Sequence, residues 1–266
     1  MKLATHCVTK PWGREDVPAR FGALPGSRVG EVWFDHPSQP LPLLVKWLFT
    51  SERLSIQVHP DDRQARVRGL SAGKEECWIV VDAEPGAVLG IGTREALEPD
   101  ALRSAAQSGA IEGLMDWKPV SPGDYYFIPA GTVHAIGAGV TLVEVQQNAD
   151  VTYRLYDYGR PRELHLDDGV AVSQAEPYAD PRCGRLGQRS DHDALLSCRH
   201  FALWSIQAGE VDRWKDTGAP RWIIPLSGNI IANDDSAGQG DCLYLEGAAA
   251  LQLSEDFFGL VAIAYG

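Results

Sequence analysis

GDYYFIPAGTVH, residues 123–134, is the stretch of this 266-residue chain that decides its fold. A Gly-Asp turn leads into a short apolar strand, and a tight Pro-Ala-Gly bend then presents His134. A surface histidine after a β-turn is the plain alternative, but turn and bend residues at this fixed spacing seldom coincide by chance. The stretch therefore predicts β structure that holds one histidine in a defined place.

Short apolar runs separated by Gly, Pro and polar turns lie on both sides of this stretch, which predicts a barrel or sandwich of short strands. Residues 93–114 differ, because their Ala, Leu, Arg and Glu content and apolar spacing predict one or two short helices. The Glu-Pro-Gly turn at 84–86 predicts a hairpin. Strands are expected twice within residues 42–58, at 76–82, 87–91, 124–129, 141–147 and 151–156, and again from 201 to 262.

The 123–134 stretch resembles the second sequence motif of the cupins, β-barrel proteins in which the matching histidine binds a metal ion. A weaker copy of the turn and strand follows at residues 240–246. Aligning Gly240 with Gly123 places Leu251 opposite His134, so the second copy lacks the histidine. We expect a mainly β fold of two cupin-type β-barrels (jelly rolls), the second degenerate, with the chemistry in the first.

The domain organisation follows from composition. Residues 172–200 are rich in Asp, Arg, Pro and Gly, as domain connections often are. We expect a catalytic, metal-binding domain at residues 1–172, with the short helical insertion near 93–114, and a degenerate cupin-like β domain at 173–266.

Bulk composition restricts the partners. A net charge of −12 argues against nucleic acid, which is bound by surplus Lys and Arg. No apolar run is long enough to span a membrane, and the first residues lack the pattern of a secretory signal. Five cysteines without a CxxC pair fit reduced thiols. The sequence predicts a cytoplasmic protein that uses a small-molecule substrate, and it leaves the oligomeric state open.

Gln57 and His59 lie two positions apart at the end of a predicted strand, so both project to the same face. Alone, this pair is weak evidence, because a half-exposed strand also places polar residues toward solvent. The Pro60-Asp-Asp sequence that follows ends the strand, as expected at a barrel mouth.

Four stretches together resemble type I mannose-6-phosphate isomerase, a zinc-dependent enzyme of the cupin superfamily. The resemblance extends from about Lys10 to Asp168, and generic cupins share neither the SIQVHPDD nor the YRLYDYGR sequence. The stretches are SIQVHPDD (55–62), GKEECW (73–78), PGDYYFIPAGTVHAIG (122–137) and VEVQQNADVTYRLYDYGR (143–160).

The resemblance implies a metal site formed by Gln57, His59, Glu76 and His134. Glu75 is the rival for the carboxylate position, although Glu followed directly by Cys-Trp favours Glu76. Two imidazoles, a carboxylate and an amide oxygen suit one Zn²⁺ ion per chain and leave a position open for substrate. Because amide oxygen is a weak zinc ligand, manganese, iron or cobalt could substitute. The other histidines match no ligand motif and are expected to be superficial or structural: His6, His36, His165, His192 and His200.

The resemblance also implies the residues around the substrate. Arg154 is the expected catalytic arginine, Glu144 or Lys74 the proton-transfer group, and Lys46 and Ser55 the phosphate-binding pair. The sequence does not rank Glu144 against Lys74. Lys46 is notable in itself, because a lysine inside an apolar strand is costly unless it is paired or functional, or faces solvent.

The expected activity is reversible conversion of mannose 6-phosphate to fructose 6-phosphate through an enediol-type intermediate. A non-catalytic sugar-phosphate-binding or regulatory cupin is the alternative, and a redox-iron cupin oxygenase is a third reading. Between Glu31 and Leu43 the chain is shorter than longer members of the family, which have extra helical structure there. The lid over the substrate pocket and the sugar selectivity are therefore not carried over from the family.

Overall fold

The structure, a computed structural model, describes residues 1–188, 193–215 and 218–265, so His192 lies outside the described part. The described chain is mainly β, as the sequence predicts. Its strands are β1 Ala4–Arg14, β2 Val29–Asp35, β3 Leu43–Phe49, β4 Ile56–Val58, β5 Glu76–Ala83, β6 Val88–Thr93, β7 Met115–Pro119, β8 Asp124–Ile128, β9 His134–Ile136, β10 Val140–Gln147, β11 Tyr153–Tyr156, β12 Cys183–Arg185, β13 Leu196–Ser197, β14 Phe201–Gln207, β15 Arg221–Ser227, β16 Asn229–Ala232, β17 Asp235–Gly238, β18 Leu243–Leu245, β19 Leu251–Leu253 and β20 Phe258–Ala264. Its helices are α1 Asp62–Val67, α2 Pro99–Ser108, α3 Ile111–Leu114, α4 Leu166–Val172 and α5 Asp212–Lys215, with 3₁₀ turns at Ala19–Phe21 and Ala208–Glu210.

Two antiparallel sheets form the barrel of the N-terminal half. One has the order β1-β2-β3-β10-β5-β8-β12 and the other β11-β4-β9-β6-β7. Strand β3 shows how the larger sheet is used, because all seven of its residues are buried. Trp47 and Phe49 pack outward against the C-terminal half, while Leu48 packs into the barrel. Lys46 has the parity of Leu48, so it lies inside the barrel and the solvent-face reading is wrong.

The predicted hairpin across residues 84–86 is wrong. Strands β5 and β6 adjoin this turn, but β5 pairs with β10 and β8, whereas β6 pairs with β7 and β9. The turn therefore carries the chain from one sheet to the other. Turn residues predict only that the chain reverses direction. Which strands pair depends on which faces are buried, and the residues of both β5 and β6 are largely buried.

The helical insertion predicted near residues 93–114 is present as α2 and α3. Helices α2 and α4 pack on each other and on β11, closing one side of the smaller sheet. The short helix α1 was not predicted, although Asp61 and Gln64 form a capping box at its start. Within the described ranges, no helix is long and apolar enough to cross a membrane.

The C-terminal half repeats the strand pattern in two further sheets, β13-β14-β20-β15-β18 and β17-β16-β19. Gly123 and Gly240 have similar left-handed φ angles of +91° and +95°, and Leu251 opens β19 as His134 opens β9. Strand β12 pairs with β8, so residues beyond 172 still add a strand to the larger N-terminal sheet. The division between residues 172 and 173 stays a prediction.

Candidate active site and metal centre

Three buried side chains converge at one end of the N-terminal barrel. His59 follows β4, Glu76 opens β5 and His134 opens β9, and their ligand atoms all lie within 4.8 Å of one another. Glu76 Oε2 lies 3.5 Å from His59 Nε2, and Glu76 Oε1 lies 3.4 Å from His134 Nε2. Ligands at about 2.1 Å from a tetrahedral ion are about 3.4 Å apart, so this spacing is that of groups sharing an ion.

Backbone carbonyl groups orient both imidazoles. His59 Nδ1 is 2.7 Å from the oxygen of Val151, and His134 Nδ1 is 2.8 Å from the oxygen of Thr132. Because a carbonyl oxygen only accepts, each Nδ1 carries the proton and each Nε2 keeps a free lone pair directed at Glu76. The tautomer required of a metal ligand is thus fixed by the fold.

The donor set fits a divalent cation. Among the described residues, neither His59 Nε2 nor Glu76 Oε1 has a hydrogen-bond partner, although both atoms are buried, and such atoms are costly unless something else satisfies them. Burial, together with the charge of Lys74, lowers the pKa of His59 to about 3, and burial also lowers the pKa of His134. Both imidazoles are therefore neutral at pH 7, which is the form that binds metal.

Gln57 lies beside this group. In the β4–β9 register it pairs with His134, and its Nε2 is 3.3 Å from His134 Nε2. Ser55 Oγ donates to Gln57 Oε1 at 3.1 Å. The two ends of the amide have nearly the same shape, so a half-turn of the amide would direct its oxygen toward the centre. Glu75, the rival carboxylate, instead lies 3.9 Å from His200.

A cavity of about 300 Å³ lies in front of the three-residue group. Gln57 and Lys74 line this cavity and also contact the group behind it, through His134 and Glu76 respectively. The structure thus brings six of the side chains singled out from the sequence to the lining of one cavity. They are Lys46, Ser55, Gln57, Lys74, Glu144 and Arg154.

Three lysines and three glutamates alternate along the inside of the barrel. Lys74 Nζ is 2.8 Å from Glu76 and 3.9 Å from Glu144. Lys46 Nζ is 3.2 Å from Glu144 and 4.0 Å from Glu31. Lys10 Nζ completes the row, 3.1 Å from the other oxygen of Glu31. Three positive and three negative side chains make the row nearly neutral. From one end to the other, each contacting the next, its members are Lys10, Glu31, Lys46, Glu144, Lys74 and Glu76.

The pKa values in this row are shifted by burial and by neighbouring charges. Burial and the nearby charge of Glu76 raise the pKa of Glu144, against the opposing effect of Lys74 and Lys46. Burial alone would lower the pKa of Lys74, but the charges of Glu144 and Glu76 outweigh it and raise this pKa. Burial likewise opposes ionisation of Glu76, yet Lys74 and His59 hold its pKa well below the usual range. At neutral pH, Lys74 is therefore a cation.

Two arginines and a histidine also line this cavity. They are Arg154, Arg162 and His165. Arg154 Nε donates to the backbone oxygen of Glu163 at 3.0 Å, and within the described part of the chain this arginine has no carboxylate within ion-pair distance. Arg162 donates to both oxygens of the buried Asp157, at 2.6 and 2.7 Å, which fixes its guanidinium.

Sequence reasoning missed several polar cavity residues, among them Lys10, Glu31, Arg162 and His165. His165 was expected to be superficial or structural, but its Nδ1 accepts from the backbone N–H of Arg154 and its ring reaches the cavity. Arg162 lies just past the YRLYDYGR stretch. The only sequence feature that could have drawn attention to it is its position shortly after Asp157. Lys10 and Glu31 belong to no motif, so nothing in the sequence pointed to them.

Comparison with known proteins gives a consistent result. A mannose-6-phosphate isomerase of Streptococcus mutans is 37% identical over 221 residues, covering 78% of this chain and 70% of that protein. The chain belongs to the mannose-6-phosphate isomerase family. A second member, from Bacillus subtilis, is 34% identical over 203 residues, covering 70% of this chain and 64% of that protein. The chain spans only 52% and 64% of the length of the first two curated relatives it matches. No protein-family model matches it.

Solved structures of mannose-6-phosphate isomerases share the fold over almost the whole chain. That of the Bacillus subtilis protein superposes with a TM-score of 0.78 at 24% identity, covering 100% of this chain and 99% of that one. A zinc-bound mannose 6-phosphate isomerase superposes with a TM-score of 0.58 at 15% identity, covering 100% and 98%. The fold predicted for this family from the sequence, built of β-barrels, is therefore confirmed.

Proposed function

We propose that this protein is a metal-dependent aldose–ketose isomerase that interconverts mannose 6-phosphate and fructose 6-phosphate. The observation that carries the proposal is the buried group of His59, Glu76 and His134, which meets the cavity through Gln57 and Lys74. Membership of the mannose-6-phosphate isomerase family supports the same activity.

One Zn²⁺ ion would be held by His59, Glu76, His134 and the amide oxygen of Gln57. The neutral Nε2 atoms and the orphaned carboxylate oxygen support this assignment, and after the half-turn of the amide its NH₂ group would donate to Ser55 Oγ. When bound, the ion would act as a Lewis acid toward the oxygens at C1 and C2 of the sugar. The weak amide ligand leaves room for another divalent metal in the same site.

The row of charges supports a division of the proton-transfer roles. Glu144 lines the cavity and is held rigidly, because its Oε2 accepts from Trp78 Nε1 at 3.0 Å. It would take the C2 proton of mannose 6-phosphate and return a proton to C1. Lys74, a cation between two carboxylates, would give a proton to O1 and receive one from O2. Arg154 would stabilise the negative charge that develops on these oxygens.

The charges favour a different phosphate subsite from the one that the resemblance implies. Lys46 is already flanked by Glu144 and Glu31, so it has little charge left for a dianion. Arg154 and Arg162 line the same cavity. Arg162 is held in place by Asp157, but it shares this one carboxylate with Arg160, so the arginines outnumber the acid there. We assign the phosphate to this arginine side, with Lys46 and Ser55 closer to the reacting end of the sugar.

The proposal is tested by removing the metal and restoring it. A chelator should abolish the formation of fructose 6-phosphate in a coupled assay, and added Zn²⁺ should restore it. Full activity of the metal-free protein would refute the proposal. Binding of mannose 6-phosphate without any exchange of its C2 hydrogen with solvent would instead identify a non-catalytic sugar-phosphate-binding or regulatory cupin.

We also propose that the protein works in the cytoplasm. All five cysteines are free thiols, as expected in a reducing compartment. Fractionation of the source cells would test this assignment.

A further inference from the structure

Lys74 lies between two backbone amides that are both held by side chains. The N–H of Gly73 donates to Asp62 Oδ1 at 2.9 Å, and the N–H of Glu75 donates to Gln147 Oε1 at 2.9 Å. Asp62 Oδ1 also accepts from Gln147 Nε2 at 3.1 Å, so the two side chains are joined. We call this pair, with its two amide contacts, the Asp62–Gln147 clamp.

The clamp connects the two segments that carry candidate metal ligands. Asp62 belongs to the segment that follows His59, and Gly73 to the segment that precedes Glu76. A Cβ atom on Gly73 would lie 2.5 Å from the backbone oxygen of Pro60, so the two segments touch and only glycine fits here. The Lys74 N–H donates to the same Pro60 oxygen at 3.0 Å. The backbone of Lys74 is therefore fixed from three sides.

The Asp62 carboxylate stays ionised and can therefore accept both hydrogen bonds of the clamp. Burial opposes ionisation of Asp62, but the bonds from the Gly73 N–H and from Gln147 hold the pKa of this carboxyl below its usual range. Its other oxygen lies 3.8 Å from His200 Nε2 in the C-terminal half. Gln147 is buried at the end of β10 and has no role in the proposed chemistry.

We propose that Asp62 and Gln147 are positioning residues, which hold the Lys74 ammonium between Glu76 and Glu144, in the place from which it would exchange protons with O1 and O2 of the sugar. The inference rests on the proposed function. Neither residue lines the cavity, so both act through the 73–75 backbone. A displacement of about 1 Å at a reacting group can cost about 100-fold in rate, whereas substrate binding is spread over the whole cavity.

The test compares the zinc-loaded variants Asp62→Ala, Gln147→Ala and Asp62→Asn with the wild type. The two alanine variants should lose about tenfold or more in kcat, with KM within about twofold and zinc still at one ion per chain. Asp62→Asn keeps an acceptor oxygen and should recover much of the rate. Gln147→Glu, in which a second carboxylate faces Asp62, should be as slow as Gln147→Ala.

Thr50→Val is the matched control. Thr50 is buried and, like the clamp residues, bonds backbone groups, donating to the Gly137 oxygen at 2.8 Å and accepting from the Val140 N–H at 2.9 Å. It should lose stability but keep kcat. A kcat near that of the wild type in both alanine variants would overturn the proposal, as would a loss of zinc in proportion to kcat.

Amide hydrogen exchange separates the clamp from the proposed function. Exchange at Gly73 and Glu75 should be faster in both alanine variants than in the wild type and in Thr50→Val, and unchanged exchange would overturn the proposal. If the zinc-loaded wild type has no isomerase activity, the proposed function fails, and the exchange rates still decide whether the clamp exists.

Discussion

Replacing Glu144 with Gln changes the charge at the centre of the buried row while keeping the shape of the side chain. The amide still offers an oxygen to Trp78 Nε1, but Lys46 loses its carboxylate at 3.2 Å and keeps only Glu31 at 4.0 Å. Removing one partner of a buried ion pair typically costs about 3–5 kcal/mol. Because both lysines keep a second carboxylate, we expect a smaller loss of about 2–3 kcal/mol in the free energy of unfolding, at or below the lower end of that range.

The same substitution removes the proposed base. General-base catalysis contributes about 10²- to 10⁴-fold, so kcat should fall by that factor. KM and zinc content should change little, since Glu144 is not among the proposed ligands. Urea unfolding followed by tryptophan fluorescence measures the stability, and a coupled assay for fructose 6-phosphate measures kcat.

The matched control is Glu31→Gln, which removes the neighbouring carboxylate of the same row. Glu31 also accepts from a tryptophan, Trp33 Nε1 at 2.6 Å, and is also buried between two lysines. This variant should lose comparable stability and at most a few-fold in kcat. A folded Glu144→Gln protein with the kcat of the control would refute the assignment of the base.

Replacing His134 with Ala should abolish zinc binding and turnover together, because one of the imidazole ligands is lost. Metal analysis after dialysis tests this prediction, and one zinc ion retained per chain would contradict it. Arg162→Leu should raise KM for mannose 6-phosphate about 10- to 100-fold with a smaller effect on kcat, since a charge-assisted hydrogen bond contributes about 1.5–3 kcal/mol; an unchanged KM in steady-state kinetics would exclude the arginine subsite. Burial raises the pKa of Glu31, but Lys46 and Lys10 lower it below its ordinary value of 4.5. Its contribution to stability is therefore complete above that value and is lost as the pH falls through the folded-state pKa. The difference in unfolding free energy between wild type and Glu31→Gln should be constant near neutral pH and shrink as the pH falls below 4.5. A difference that grows toward acid would contradict the sign.

The sequence was sufficient for the features that depend on local patterns. The Gly-Asp turn and the Pro-Ala-Gly bend place His134 at the start of β9, because their backbone angles are set locally, with Gly123 and Gly131 both at positive φ. Alternation by two likewise predicted that Gln57 and His59 share one face, and Ser55, two positions earlier in the chain, bonds Gln57.

Features that depend on pairing between distant strands were not accessible. The partner of β5 is β10, some 60 residues away, so the turn at 84–86 could not reveal that its two strands lie in different sheets. Glu31 and Lys10 reach the cavity only because β1 and β2 extend the larger sheet beside β3. The two carboxylates that flank Lys46 come from other strands, so the sequence alone could not show that its charge is already balanced. This balance is the reason for assigning the phosphate to the arginines instead of Lys46.

The most direct test of the account is a titration of the zinc-free protein with Zn²⁺ while isomerase activity is recorded. Activity should rise from zero in proportion to added zinc and stop rising at one equivalent per chain, and the His134→Ala protein should show no rise. Activity before any zinc is added, or a plateau unrelated to one equivalent, would contradict the claim that a single ion held by His59, Glu76 and His134 is essential for turnover.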